Sequence, residues 1–94
     1  MKCELWGHKF RVRETNPDKL RMVFNKLLEK SSFKILGFMD HHFSGGGYTA
    51  LWLLGESHFA VHTFPEDKAT ACEISSCSLS KFYMFVKMVK SMSA

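Results

Sequence analysis

The sequence predicts an α+β domain in which two amphipathic helices lie on one face of a β-sheet. Three observations carry that expectation. Two stretches, one from residue 17 to about 30 and one from about 80 to 90, repeat apolar residues at helical spacing. Five other stretches read as strands, and Gly45-Gly46-Gly47 joins two of them as a hairpin turn. One strand, Tyr48 to Leu54, is apolar on both parities and asks for cover on both faces.

Lys2 to Val12 mixes apolar and basic residues and is expected to be the first strand. Thr15-Asn16-Pro17-Asp18 then combines a polar cap, a Pro for the first turn and an acid beside it, which predicts a helix start. Leu20, Val23, Phe24, Leu27 and Leu28 form the stripe of that helix, to about Lys30, and should face the sheet. Ser31-Ser32 breaks the pattern, and Phe33 to Phe43 reads as the next strand. The Gly triplet lacks the Lys-Ser/Thr of a phosphate loop and no helix follows it, so it is a turn. In the strand after it, Tyr48, Ala50, Trp52 and Leu54 share one face, and Leu51 and Leu53 share the other. Two helices on one side leave the second face bare, so that face is expected to meet another subunit. His58 to Phe64 is a further strand, Pro65-Glu66-Asp67 a turn, and Ala69 to Cys77 a short last strand. Ser78 or Ser80 is expected to cap the final helix, with Phe82, Phe85, Val86 and Val89 inward and Lys81, Lys87 and Lys90 in water. With no repeat and no linker, residues 1–94 are expected to form a single domain.

A domain of 94 residues buries a modest share of its surface, which makes oligomerisation a natural remedy. Nine Phe point to an aromatic-rich core or interface. The net charge of +4 comes from 13 basic and 9 acidic residues spread along the chain. No run of five like charges and no nucleic-acid-binding motif is present, so no nucleic-acid partner is expected. Three Cys, an odd number, argue against a disulfide framework. With no signal-peptide pattern and no membrane-spanning run, they predict a cytoplasmic protein. His41, His42, His58, His62, Cys72 and Cys77 raise the question of a zinc site. On a strand His58 and His62 lie ~13 Å apart, whereas two zinc ligands lie within about 4 Å of each other. Cys72 and Cys77 have opposite parity, so no metal is expected.

The chemistry-bearing residues are Glu56-Ser57-His58, then His62, then Cys77. With them stand Phe43-Ser44-Gly45-Gly46-Gly47-Tyr48-Thr49 and the run from His62 to Glu66, His-Thr-Phe-Pro-Glu. In this order and spacing they resemble the bacterial and archaeal S-adenosylmethionine decarboxylase family, well over residues 33–77 and weakly over the N-terminal third. The resemblance implies a two-layer α/β sandwich with an antiparallel sheet, paired into a four-layer αββα homodimer with two active sites. It implies autocatalytic cleavage between Glu56 and Ser57, giving a β chain of 1–56 and an α chain of 57–94. It also implies a pyruvoyl cofactor made from Ser57 and decarboxylation of S-adenosylmethionine for polyamine (spermidine) synthesis. Carried over residue by residue, Ser57 is the cleaved serine and His62 moves protons during processing. Thr49 assists processing, and Cys77 returns a proton to the substrate carbon. Phe43 stacks on the adenine, and Glu66 holds the ribose hydroxyls. The sequence departs from the family in its first strand, where Lys9, Arg11 and Arg13 replace an acidic run, and in Ser78, where a Gly often follows the Cys.

The types of residue suit these roles. A serine hydroxyl can attack the preceding carbonyl, and elimination from the resulting ester followed by hydrolysis leaves a pyruvoyl end. A His moves protons near neutral pH, and a Cys thiol can deliver one. Two other functions remain open: decarboxylation of another amino acid such as arginine or ornithine, and an uncleaved homologue that acts as a binding or regulatory subunit. On one extended strand Ser57 and His62 would lie ~16 Å apart and point to opposite faces. Thr49 and His62 are therefore expected to serve the Ser57 of a partner chain.

Overall fold

Asn16 begins the first helix as its sequence demands, its side-chain Oδ1 accepting from the Lys19 N–H at 3.0 Å with Pro17 in the first turn. In the computed structural model, which describes residues 3–92, this helix is α1 (Pro17–Lys30) and a second is α2 (Leu79–Met92). The strands are β1 (Trp6–Val12), β2 (Ile35–His42), β3 (Tyr48–Leu54), β4 (Ser57–Phe64) and β5 (Ala69–Ser76). They form one five-stranded sheet in the order β1-β5-β4-β3-β2, and each neighbouring pair is antiparallel. Strands β2 to β5 make a meander, and α1 carries the chain from the β1 edge to the β2 edge.

Both helices pack on one face of the sheet, so the expected α+β sandwich is the observed fold. Leu20, Phe24 and Leu28 of α1 and Phe85 and Val89 of α2 are buried against Trp52, Phe59, Val61 and Ile74. Most of the aromatic residues collect here. Phe59 is the hub, its ring centroid 4.7 Å from Phe24 and 5.3 Å from both Trp52 and Phe85. The buried polar atoms on this side find partners: Trp52 Nε1 donates to Asn25 Oδ1 at 2.6 Å, and the Tyr48 hydroxyl donates to Asp40 at 2.6 Å.

Several boundaries differ from the expected ones, each for a visible reason. The first strand begins at Trp6, because its neighbour β5 ends at Ser76, opposite Trp6. Lys2 lies outside the described residues. The second strand begins at Ile35, because the Phe33 N–H closes the end of α1 on the Leu28 carbonyl (3.0 Å) with Ser32 in the left-handed region at φ 69°. β4 takes in Ser57, and β5 stops one residue short of Cys77. The N–H of Phe82 bonds to the Ser78 carbonyl at 3.0 Å, so Ser78 rather than Ser80 precedes the first turn of α2. Lys87 and Lys90 face water, while Lys81 is half-buried.

The other face of the sheet is open. Cross-strand register groups its side chains into rows. One row runs Arg11, Ala71, His62, Thr49, His41; the next runs Lys9, Glu73, Ala60, Leu51, Met39; the third runs Gly7, Ser75, His58, Leu53, Gly37. Met39 (69% exposed), Leu53 (56%), Phe64 (45%) and Leu51 (40%) put a large apolar area in water, more than one solvated sheet face ordinarily carries.

Candidate active site

The predicted site residues fall into two groups at opposite ends of the β3–β4 hairpin. The first surrounds the tight turn Gly55-Glu56. Glu56 is held at φ 55°, a left-handed conformation that costs a non-glycine residue about 1–3 kcal/mol when the surroundings enforce it. The two-residue turn that pairs Leu54 with Ser57 places it there, and the Cys77 N–H donates to the Glu56 carbonyl at 3.3 Å. Ser57 follows as the first residue of β4. It points to the helix side, is 7% exposed, and its hydroxyl donates to Ser76 Oγ at 2.8 Å. Cys77 is a free, exposed thiol just past β5.

The second group lies at the far end of the hairpin. Thr49 Oγ1 and His62 Nδ1 are 3.0 Å apart on the open face, directly opposite each other in register. Phe43 sits at the β2–β3 turn, half exposed, where its N–H donates to the Gly47 carbonyl at 2.8 Å and its ring meets His41 at 4.6 Å. Gly46 supplies the turn with φ 97°. Glu66 is exposed in the single 3₁₀ turn (Pro65–Asp67) that follows β4.

Within one chain these groups stay apart. Ser57 and His62 are on opposite faces, five residues along one strand, or ~16 Å. Beside His62 the open face carries a shallow cavity of about 370 Å³, lined by Lys9, Arg11, Ala71 and Glu73 among others. The Lys9–Glu73 pair across it is 4.0 Å long and exposed, so it contributes little to stability. Among the described residues no three metal-ligating side chains converge. Cys72 points away from His58 and His62 into the core, and burial pushes its thiol up to about 12.

A sequence profile of the S-adenosylmethionine decarboxylase family matches residues 3–92. The chain belongs to that family. Its relatives include S-adenosylmethionine decarboxylase proenzymes of Prochlorococcus marinus (33% identical over 58 residues), Methanococcus vannielii (30% over 74) and Clostridium botulinum (31% over 75). These alignments cover 62%, 79% and 80% of this chain, and 46%, 60% and 64% of the relatives. The chain thus spans about half to two thirds of the length of the curated relatives it matches. The crystal structure of the adenosylmethionine decarboxylase from Aquifex aeolicus superposes with a TM-score of 0.70 at 20% identity, over 88% of this chain and 73% of that one. That likeness shows the fold.

Sequence reasoning missed the two groups that hold the Glu56–Ser57 peptide from the next strand: the Cys77 backbone N–H and the Ser76 hydroxyl. Both depend on the register Ser57 opposite Ser76, which no local pattern encodes. Their one signal was the polar run Ser75-Ser76-Cys77-Ser78 closing a strand that is otherwise mostly apolar on its inner face.

Proposed function

We propose that this chain is the precursor of a pyruvoyl-dependent S-adenosylmethionine decarboxylase that cleaves itself between Glu56 and Ser57 and supplies aminopropyl groups for spermidine synthesis. One observation carries the reading: the peptide to be cleaved follows a residue held at positive φ, with its carbonyl already bonded to a backbone N–H and a buried serine next in the chain. In the first step Ser57 Oγ attacks the Glu56 carbonyl carbon. A C–O bond forms, the C–N bond breaks, and the hydroxyl proton passes to the Ser57 nitrogen. The Cys77 N–H stabilises the negative charge that grows on the carbonyl oxygen. Loss of the Ser57 α-proton then expels the Glu56 carboxylate, and water releases ammonia, leaving a ketone at position 57.

The dry, enclosed position of Ser57 suits a reactive carbonyl, and Glu56 and Cys77 would flank it. The pyruvoyl group supplies an electron sink for the pair left when carbon dioxide departs the substrate. This chain's residues do the rest. Cys77 returns the proton to the substrate carbon, Phe43 stacks on the adenine, and Glu66 accepts from the ribose hydroxyls. His62, bonded to Thr49, moves protons during processing.

A homodimer brings the two ends of the hairpin together. Stacking the open faces about a two-fold axis near the Leu51–Ala60 row lays the His62 end of one sheet over the Ser57 end of its partner, where it meets the open-face side of the Glu56–Ser57 backbone rather than the Ser57 hydroxyl. The same stacking covers Leu51, Leu53 and Met39, giving the αββα arrangement. No helix among the described residues is long and apolar enough to cross a membrane. The exposed free thiols Cys3 and Cys77 fit the reducing cytoplasm. The test is Ser57→Ala, which removes the attacking oxygen. It should give one uncleaved band on a denaturing gel, and two fragments would overturn the assignment of Ser57.

A further inference from the structure

Ser76 is fully buried at the end of β5, opposite Ser57 on one side and Trp6 on the other. Its hydroxyl is committed in every direction. It donates to the Ser78 carbonyl at 3.3 Å and accepts from the Ser78 N–H at 3.0 Å. The remaining bond, 2.8 Å to Ser57 Oγ, must then be donated by Ser57, because a hydroxyl has one proton and that of Ser76 is used. The backbone at the start of α2 thus fixes Ser76, and Ser76 fixes Ser57. Among the described residues no donor bonds to Ser57 Oγ, so its lone pairs are free while its proton is held.

That is the state a nucleophile needs. We propose that Ser76 is the positioning residue for self-cleavage: its hydroxyl holds the Ser57 O–H so that the oxygen's lone pairs face the Glu56 carbonyl as the C–O bond forms, and the proton then leaves for the Ser57 nitrogen as the C–N bond breaks. The proposal rests on the self-cleavage reading and deepens it. Without the acceptor, the Ser57 hydroxyl rotates freely and loses its only bond in a site closed to water. The Cys77 N–H on the next residue acts on the other reactant, so one strand end holds both the attacking oxygen and the carbonyl.

The test follows processing of the full chain after cell-free synthesis, by intact mass, for wild type and Ser76→Ala, Ser76→Thr and Ser76→Val. Thr and Val are nearly equal in volume and differ in the hydroxyl. The Thr variant should cleave within about threefold of wild type, and the Ala and Val variants should slow by about tenfold or more. Thr and Val variants should melt within a few degrees of each other, which removes folding as the cause. Hydroxylamine, which cuts an ester once formed, should not restore rapid cleavage to the Val variant, because the lost step is the attack. Equal rates in Thr and Val variants, or a rapid hydroxylamine-released fragment from Val, would overturn the role given to Ser76. If wild type itself stays intact with hydroxylamine present, the self-cleavage reading fails and this proposal with it. If wild type cleaves and Val keeps pace, only the proposal fails.

Discussion

Cys72 and Cys77 are five residues apart and meet different surroundings. Cys77 is exposed beside the Gly55-Glu56 turn, whereas Cys72 is sealed beneath the helices and its thiol is pushed up to about 12 by burial. A thiol alkylating reagent at pH 8 should therefore label Cys3 and Cys77 of the folded chain and spare Cys72, as peptide mass mapping would check. Because the folded value lies above the ordinary 9.0, the stability Cys72 contributes is whole below pH 9 and is lost as pH rises towards 12. Chemical denaturation at pH 8 and pH 11 should show a smaller loss in Cys72→Val than in the unaltered chain. For Cys77, substitution by Ser replaces the thiol with a far weaker acid at neutral pH. A processed Cys77→Ser protein should keep its fold and lose most carbon dioxide release from S-adenosylmethionine. Near-normal turnover would place the proton donor elsewhere.

At the level of elements, the start of α1 shows local chemistry deciding structure. The Asn16 side chain closes the Lys19 N–H, and Asn16→Ala should lower stability by about 1 kcal/mol, read as a drop in melting temperature. This end was legible in the sequence because cap, Pro and acid are adjacent residues. The same holds for β3, whose Tyr48, Ala50, Trp52 and Leu54 alternate inward as their parity requires. What sequence could not supply were boundaries set by neighbours. Cys3 to Leu5 stay out of the sheet because β5 gives them nothing to pair with. Phe33 leaves β2 because α1 needs its N–H. The candidate site divides in the same way. The residue types and spacings of Ser57, His62 and Cys77 were readable, and so was the opposition of Ser57 and His62 across the sheet. The bond from Ser57 to Ser76 was not, because it depends on which residue of β5 lies opposite β4.

The whole molecule presents an open sheet face with Leu51, Leu53 and Met39 in water and its proposed processing residues split between the two ends of one hairpin. The proposed homodimer would answer both features. Leu51→Asp adds a charge to the centre of that face without touching the core, so it should leave a folded chain that sediments as a monomer and cleaves poorly. On the proposed dimer, mixed Ser57→Ala and His62→Ala chains would hold one complete processing site, so co-expression should give partial cleavage although neither variant cleaves alone. No cleavage in verified mixed dimers would remove the cross-subunit site. All of this depends on one bond, Glu56–Ser57, breaking without help. The most direct measurement is the intact mass of the purified chain after incubation at neutral pH. The account predicts two fragments, residues 1–56 and 57–94, with a pyruvoyl group in place of the serine at the start of the second. A single uncleaved chain that stays whole, even with hydroxylamine present, would contradict it.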